Sequence, residues 1–356
     1  MTEESSTLSH LSVAMTTKEN DETQTAAGKS WAVDEFYLQL VVVVIGVVGT
    51  AGNALILYAL VASKQHKKHL LIVNQNALDL FSSFNLIVSF AVKLCNVQFQ
   101  FVGSLGYWLC MIFISEFFVW LGLTASVVNL AVVTIDRYLK VVHHVWSKKR
   151  LRPWVIKSAM AFAWFAGIVS NTPTLFETSG VVNGMCYTWV LYKSYEARVA
   201  SQIWYVVSFY IIILVIFVYC YGSILIVIRR QARVMASYNA DGSNTSQNQL
   251  NQMQINVIKT KILVSAFYAV AWLPQSIYFV FITMDPNLSY LDSYFYAATF
   301  AAFLYISANP FIYATKFNPV KQILTDMIPC KKTFVQPTEE VPMAPIGVRT
   351  AAPGRY

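Results

Sequence analysis

Asp136, Arg137 and Tyr138 stand together at the end of a long apolar run, a place where residue type and spacing suggest a switch. A guanidinium beside a carboxylate can be held by the acid in one state and released to a partner in another. Two further acids, Asp79 and Glu116, lie inside apolar runs, where an ionisable group is expensive and needs a reason. Asp79 has two compatible readings. One is a helix-packing carboxylate in a polar network with Asn53, Ser126 and Asn309; the other is a sodium- or proton-sensitive switch, and the network is the favoured one. Glu116 has three: partner of a cationic ligand group, partner of Lys93, or an interfacial acid near water. Acid–base and metal chemistry find no cluster. The five histidines (His10, His66, His69, His143, His144) all fall outside the runs, and Cys95, Cys110, Cys186, Cys220 and Cys330 lack the paired short spacing of a zinc site. A membrane enzyme is therefore disfavoured. A transporter or channel, the alternative function, would want several charges along one path.

The elements that carry these residues follow from composition. Of 356 residues, 56% are hydrophobic and only 12% are charged, about half the charged share of a soluble domain. Crossing the hydrocarbon core takes about 20 apolar residues of helix. Seven runs qualify: 36–63, 70–92, 107–135, 158–176, 199–228, 262–284 and 293–315. Five hold no Asp, Glu, Lys or Arg; the second holds only Asp79 and the third only Glu116. The connections on one side, with the start of the tail, carry nineteen Lys and Arg, those on the other five. That asymmetry predicts an outside N-terminus and a cytoplasmic C-terminus. The formal charge of +8 sits in these connections, a pattern that argues against nucleic acid.

The expected fold is thus an all-α membrane protein built as a seven-helix transmembrane bundle. Residues 1–35 form a polar outer segment with seven acids and no signal-peptide pattern, so the first run is expected to act as its own anchor. The bundle covers 36–315. Phe317, Val320, Leu324 and Met327 make one apolar stripe, opposed by Lys316, Lys321 and Asp326, which predicts a short amphipathic helix on the inner membrane face within 316–330. Cys330, beside Lys331 and Lys332, is a palmitoylation candidate. The tail 331–356 is Pro-rich and is expected to lack fixed structure, as is the polar inner loop 234–256. No repeat relates the two halves, which weakens a transporter reading. Asn287 opens an outer glycosylation sequon; Asn244 opens one on the cytoplasmic side, where it carries no meaning. Thr245, Ser246 and Thr338 read as solvated residues before phosphorylation sites.

From Gly52 to about Cys330 the chain resembles the rhodopsin-like G-protein-coupled receptors, with one match on each run, in order. These are Gly52-Asn53, Leu78-Asp79, Asp136-Arg137-Tyr138, Trp164, Tyr221, Trp272-Leu273-Pro274 and Asn309-Pro310-Phe311-Ile312-Tyr313. The resemblance implies a plasma-membrane receptor, not an enzyme, that takes an extracellular ligand and activates a heterotrimeric G protein, with arrestin and membrane lipids as further partners. It implies that Arg137 meets the G protein, that Pro274 lets the sixth helix kink, that Trp272 reports ligand contact, and that Tyr313 pairs with Tyr221 through water. It also implies a Cys110–Cys186 disulfide and a ligand pocket near Glu116, Trp120, Trp272, Tyr278 and Phe303.

Several positions depart from the family pattern. Cys110 lies 27 residues before Arg137, about two more than is usual, which predicts a bulge or a longer outer end in the third helix. Ile213 stands where the fifth run usually has proline, Tyr268 where a phenylalanine is usual, and Gln254 where the sixth helix usually has glutamate. Without that glutamate, an ion-pair lock on Arg137 is lost and raised basal activity is expected. Phe303 occupies the position of the retinal-binding lysine, so no retinal is expected, and Val119 or Phe117 stands where amine receptors place their aspartate.

Overall fold

In lipid every backbone polar group must be satisfied within the segment, so apolar runs of this length become helices. In a computed structural model, which describes residues 36–94, 101–189, 191–238, 245–285, 293–316 and 318–327, seven helices are long and apolar enough to cross a membrane. They are Phe36–Ala62, Leu70–Leu94, Gly103–Val142, Pro153–Thr178, Tyr195–Gln231, Ile258–Met284 and Tyr294–Lys316. The segment 1–35, Cys95, the sequon at Asn287, Cys330 and the tail 331–356 lie outside the described residues.

The third span is the central post, packed on the second, fourth and fifth, while the seventh packs chiefly on the sixth. Two close approaches are set by glycine. A Cβ on Gly52 would come within 2.9 Å of the Pro310 ring, and one on Gly167 within 2.6 Å of the Leu121 carbonyl. Only a bare Cα lets the first span reach the seventh, and the fourth reach the third, at these points.

The third span extends well past 107–135 at both ends, and it is not uniform. Cys110–Ile114 forms a π turn, Glu116 follows in the left-handed region (φ 57), and regular helix resumes at Phe117–Val142. The expected bulge is therefore real, and it lies right after Cys110. A second π turn, Val207–Ile211, interrupts the fifth span. Outside the bundle, Gly180–Val182 and Met185–Tyr187 pair as an antiparallel hairpin. Asn183 and Gly184 both have positive φ, as a tight two-residue hairpin turn requires.

Two expectations need correction. The loop 234–256 is largely helical: the fifth helix runs to Tyr238 and the sixth begins at Thr245. Helices already nucleated and packed propagate outward cheaply, and Gln and Met are adequate helix formers. Lys261, counted above as a cytoplasmic interface charge, is almost fully buried. After the seventh span, helix Asn318–Met327 lays Val320, Ile323 and Leu324 against the core and leaves Lys321 exposed.

Candidate functional site

The half of the bundle beside the hairpin encloses a cavity of about 500 Å³. Its wall is rich in aromatic rings, with Trp120 and Phe303 in contact at 5.9 Å and Phe303 edge-on to Phe90 at 6.0 Å. The hairpin leads into it. Cys186 on the second strand is joined by a disulfide to Cys110 at the start of the π turn. Trp189, just beyond, donates from its ring N–H to the Ser115 carbonyl at 2.7 Å and lines the cavity. The left-handed residue Glu116 ends up at the wall, where it forms an ion pair with Lys93 from the end of the second span. The Lys93 ammonium also stands 4.6 Å over the Phe90 ring.

Below the cavity a column of rings runs inward. Tyr205, at the cavity wall, lies 6.4 Å from Trp272, which lies 6.0 Å from Tyr268. Tyr268 touches Tyr305 at 5.6 Å and Phe217 at 5.8 Å, and Phe217 reaches Tyr221 at 6.1 Å. Tyr221 then bonds Thr134 on the third span (3.0 Å) and Ser265 on the sixth (3.1 Å). The sixth and seventh helices carry Pro274 and Pro310 inside them.

Beside this column lies a polar network. Asp79 accepts from Ser126 at 2.6 Å, from Asn309 at 2.8 Å and from Gln75 at 3.4 Å. Gln75 accepts from Asn129, Asn129 accepts from Asn74, and Asn74 accepts from the Trp164 ring N–H at 3.1 Å, linking four spans. Asn53 donates to the Ile306 carbonyl at 3.1 Å rather than to Asp79. A sodium ion wants oxygen ligands, as hard cations do, yet Gln75 and Asn309 both turn N–H groups toward the carboxylate. In this arrangement the carboxylate is paired with hydrogen-bond donors from three spans.

At the end of the bundle opposite the cavity, Lys140 takes the Asp136 carboxylate at 2.8 Å, while the Arg137 Nε stays 3.6 Å away with no hydrogen-bond partner among the described residues. Arg137 is therefore only loosely held. Tyr138 bonds His143 at 3.0 Å and Tyr219 at 3.3 Å. Lys261 donates to the Tyr313 hydroxyl at 2.8 Å and lies 4.6 Å over its ring. In this state Tyr313 pairs with Lys261, and Tyr221 pairs elsewhere. His69, just before the second span, is held down to about 4 by burial, with Arg137, Lys261, Lys140 and Lys68 adding to the effect.

Of the residues singled out for the pocket, Glu116, Trp120 and Phe303 line the cavity. Trp272 lies beneath it, and Tyr278 packs against Tyr294 and Phe295 away from its wall. Sequence reasoning passed over Gln75, Asn74 and Asn129, each a polar residue in an apolar run and so already conspicuous. It also passed over Lys261, whose position at the edge of a run hid its burial.

Comparison with known proteins gives a consistent picture. A family model described as "7 transmembrane receptor (rhodopsin family)" matches residues 52–313. The chain is 27% identical to Melanopsin-A of Gadus morhua over 313 residues, which is 83% of this chain and 53% of that protein. It is 24% identical to Melanopsin of Felis catus (83% of this chain, 61% of that protein). It is 22% identical to the Substance-P receptor of Cavia porcellus (78% and 65%). The chain thus spans between about half and two thirds of the length of these relatives.

Proposed function

The chain belongs to the rhodopsin family of seven-transmembrane receptors, and on that premise we propose that it carries a signal from an outside ligand to a heterotrimeric G protein. It would do so from the plasma membrane, with its N-terminus outside and its C-terminus in the cytoplasm. The observation that carries this reading is the continuous ring column from Tyr205 through Trp272 and Tyr268 to Tyr221, ending beside the Arg137 helix. A ligand in the cavity presses on Tyr205. A second packing of the column, with Tyr205 displaced, would bias the sixth helix at Pro274, where the missing backbone N–H weakens it. Its inner half swings outward and uncovers Arg137 for the partner. Arg137 shares the Asp136 carboxylate with Lys140, which holds it at 2.8 Å against 3.6 Å for the Arg137 Nε, so this loose hold gives measurable basal exchange. Phe303, packed between Trp120 and Phe90, leaves no amine for a retinal Schiff base at its position.

The test is nucleotide exchange on purified G proteins by the receptor reconstituted in lipid. Arg137→Ala is expected to abolish exchange while cell-surface expression stays intact. Unchanged exchange in that variant defeats the mechanism.

A further inference from the structure

Two features of the cavity wall bear on what enters it. The first is charge. Among the described residues that line the cavity, Lys93 and Glu116 are the only Asp, Glu, Lys or Arg side chains, and they are bound to each other. A ligand with an ammonium or a carboxylate must compete for one of them and leave the other, the nearly buried Glu116 or the partly exposed Lys93, without its ion pair, which is unfavourable. The wall therefore offers no net charge to a ligand and penalises one.

The second feature is an amide. Gln275, on the sixth span one residue beyond Pro274, is fully buried and lines the cavity together with Thr299 of the seventh span. Its Oε1 accepts from the Thr299 hydroxyl at 3.1 Å, and its Nε2 has no hydrogen-bond partner among the described residues. Buried donors are seldom left unpaired, and one that borders a cavity is most simply satisfied by what fills it. The rest of the wall mixes aromatic rings, among them Trp120, Tyr205, Phe209 and Phe303, with neutral polar side chains such as Asn171 and Thr174.

We infer that the cavity takes an electrically neutral, largely aromatic ligand carrying an amide or ester carbonyl, which accepts a hydrogen bond from Gln275. This rests on the reading of the cavity as the outside ligand's site. A neutral ligand leaves the Lys93–Glu116 pair intact. A carbonyl pairs the orphan Nε2, and a molecule without an acceptor leaves it unpaired, which is where polar sites discriminate hardest. Because Gln275 adjoins Pro274, a ligand held there bears directly on the weak point of the sixth helix.

The experiment uses the full-length receptor, purified without G protein, and a matched indole series read by the shift in melting temperature. N-acetyltryptophan amide is neutral and carries carbonyls; tryptamine is a cation; indole-3-propionate is an anion; 3-ethylindole is neutral without an acceptor. The amide is expected to stabilise the receptor at millimolar concentration or below, and to bind at least about tenfold more tightly than the other three. Gln275→Leu and Gln275→Met, which remove the donor without adding a charge, are each expected to erase that preference. Equal or tighter binding of a charged member or of 3-ethylindole, full affinity in both variants, or no binding by the whole series overturns the inference. Should a variant fail to fold, the wild-type order of affinities decides alone. Since no G protein is present, failure here is separable from failure of the signalling reading, which the exchange assay addresses.

Discussion

Lys261 is the residue whose energetics most clearly bear on the resting state. It is nearly buried, and the one hydrogen bond found for it among the described residues goes to Tyr313. A charge-assisted bond contributes about 1.5–3 kcal/mol, and a desolvated cation over a ring up to about 2. Taking an ammonium out of water costs several kcal/mol even after relaxation, and only one of its three N–H groups is engaged by Tyr313. The desolvation cost is of the same size as the two gains together, and with two N–H groups not engaged by Tyr313, Lys261 is expected to favour an open state in which the swung sixth helix returns it to water. Lys261→Met keeps the stem and removes the charge. It is expected to raise the melting temperature and lower basal nucleotide exchange severalfold. Higher basal exchange in Lys261→Met means instead that the Tyr313 bond is a latch. None of this was legible from the sequence, where Lys261 sits just before an apolar run and reads as one more cytoplasmic charge.

Among the elements, the informative places are those where a helix breaks its own ladder and a neighbour repairs it. Pro310 has no N–H, so the Ile306 carbonyl one turn earlier loses its partner; Asn53 of the first span supplies one at 3.1 Å, and Gly52 beside it admits the proline ring. In the fifth span the π turn disrupts the local pattern, and the Tyr268 hydroxyl donates to the Phe209 carbonyl within it. This gives a reason for a tyrosine at 268. Asn53→Ala leaves a buried carbonyl orphaned, which costs about 1–3 kcal/mol. The purified variant should melt at a lower temperature, with the Asp79 bonds to Ser126 and Asn309 untouched. No loss of stability refutes the repair. The proline breaks were visible in the sequence because proline announces them. The bulge in the third span was visible only through the spacing of Cys110 to Arg137, and the π turn of the fifth, with no proline to mark it, was not visible at all.

For the whole molecule, the number and order of the spans were legible because lipid imposes one simple constraint on every crossing segment. The long-range pairings were not: Lys93 with Glu116, Gln75 with Asp79, and the column through Tyr205 depend on how spans rotate against one another. The one global property that sequence charge predicts on its own is orientation. Nineteen Lys and Arg in the inner connections and early tail, against five outside, bias insertion through the positive-inside preference. That orientation places the cavity and its disulfide outside, where oxidising conditions preserve the bond, and Arg137 inside, where a G protein can reach it. An epitope before Met1 should stain in intact cells, and one after Tyr356 only after permeabilisation. Staining of both epitopes without permeabilisation would set the termini on one face, which an odd number of crossings forbids. Inverted staining would put Arg137 outside and leave the signalling proposal without a partner.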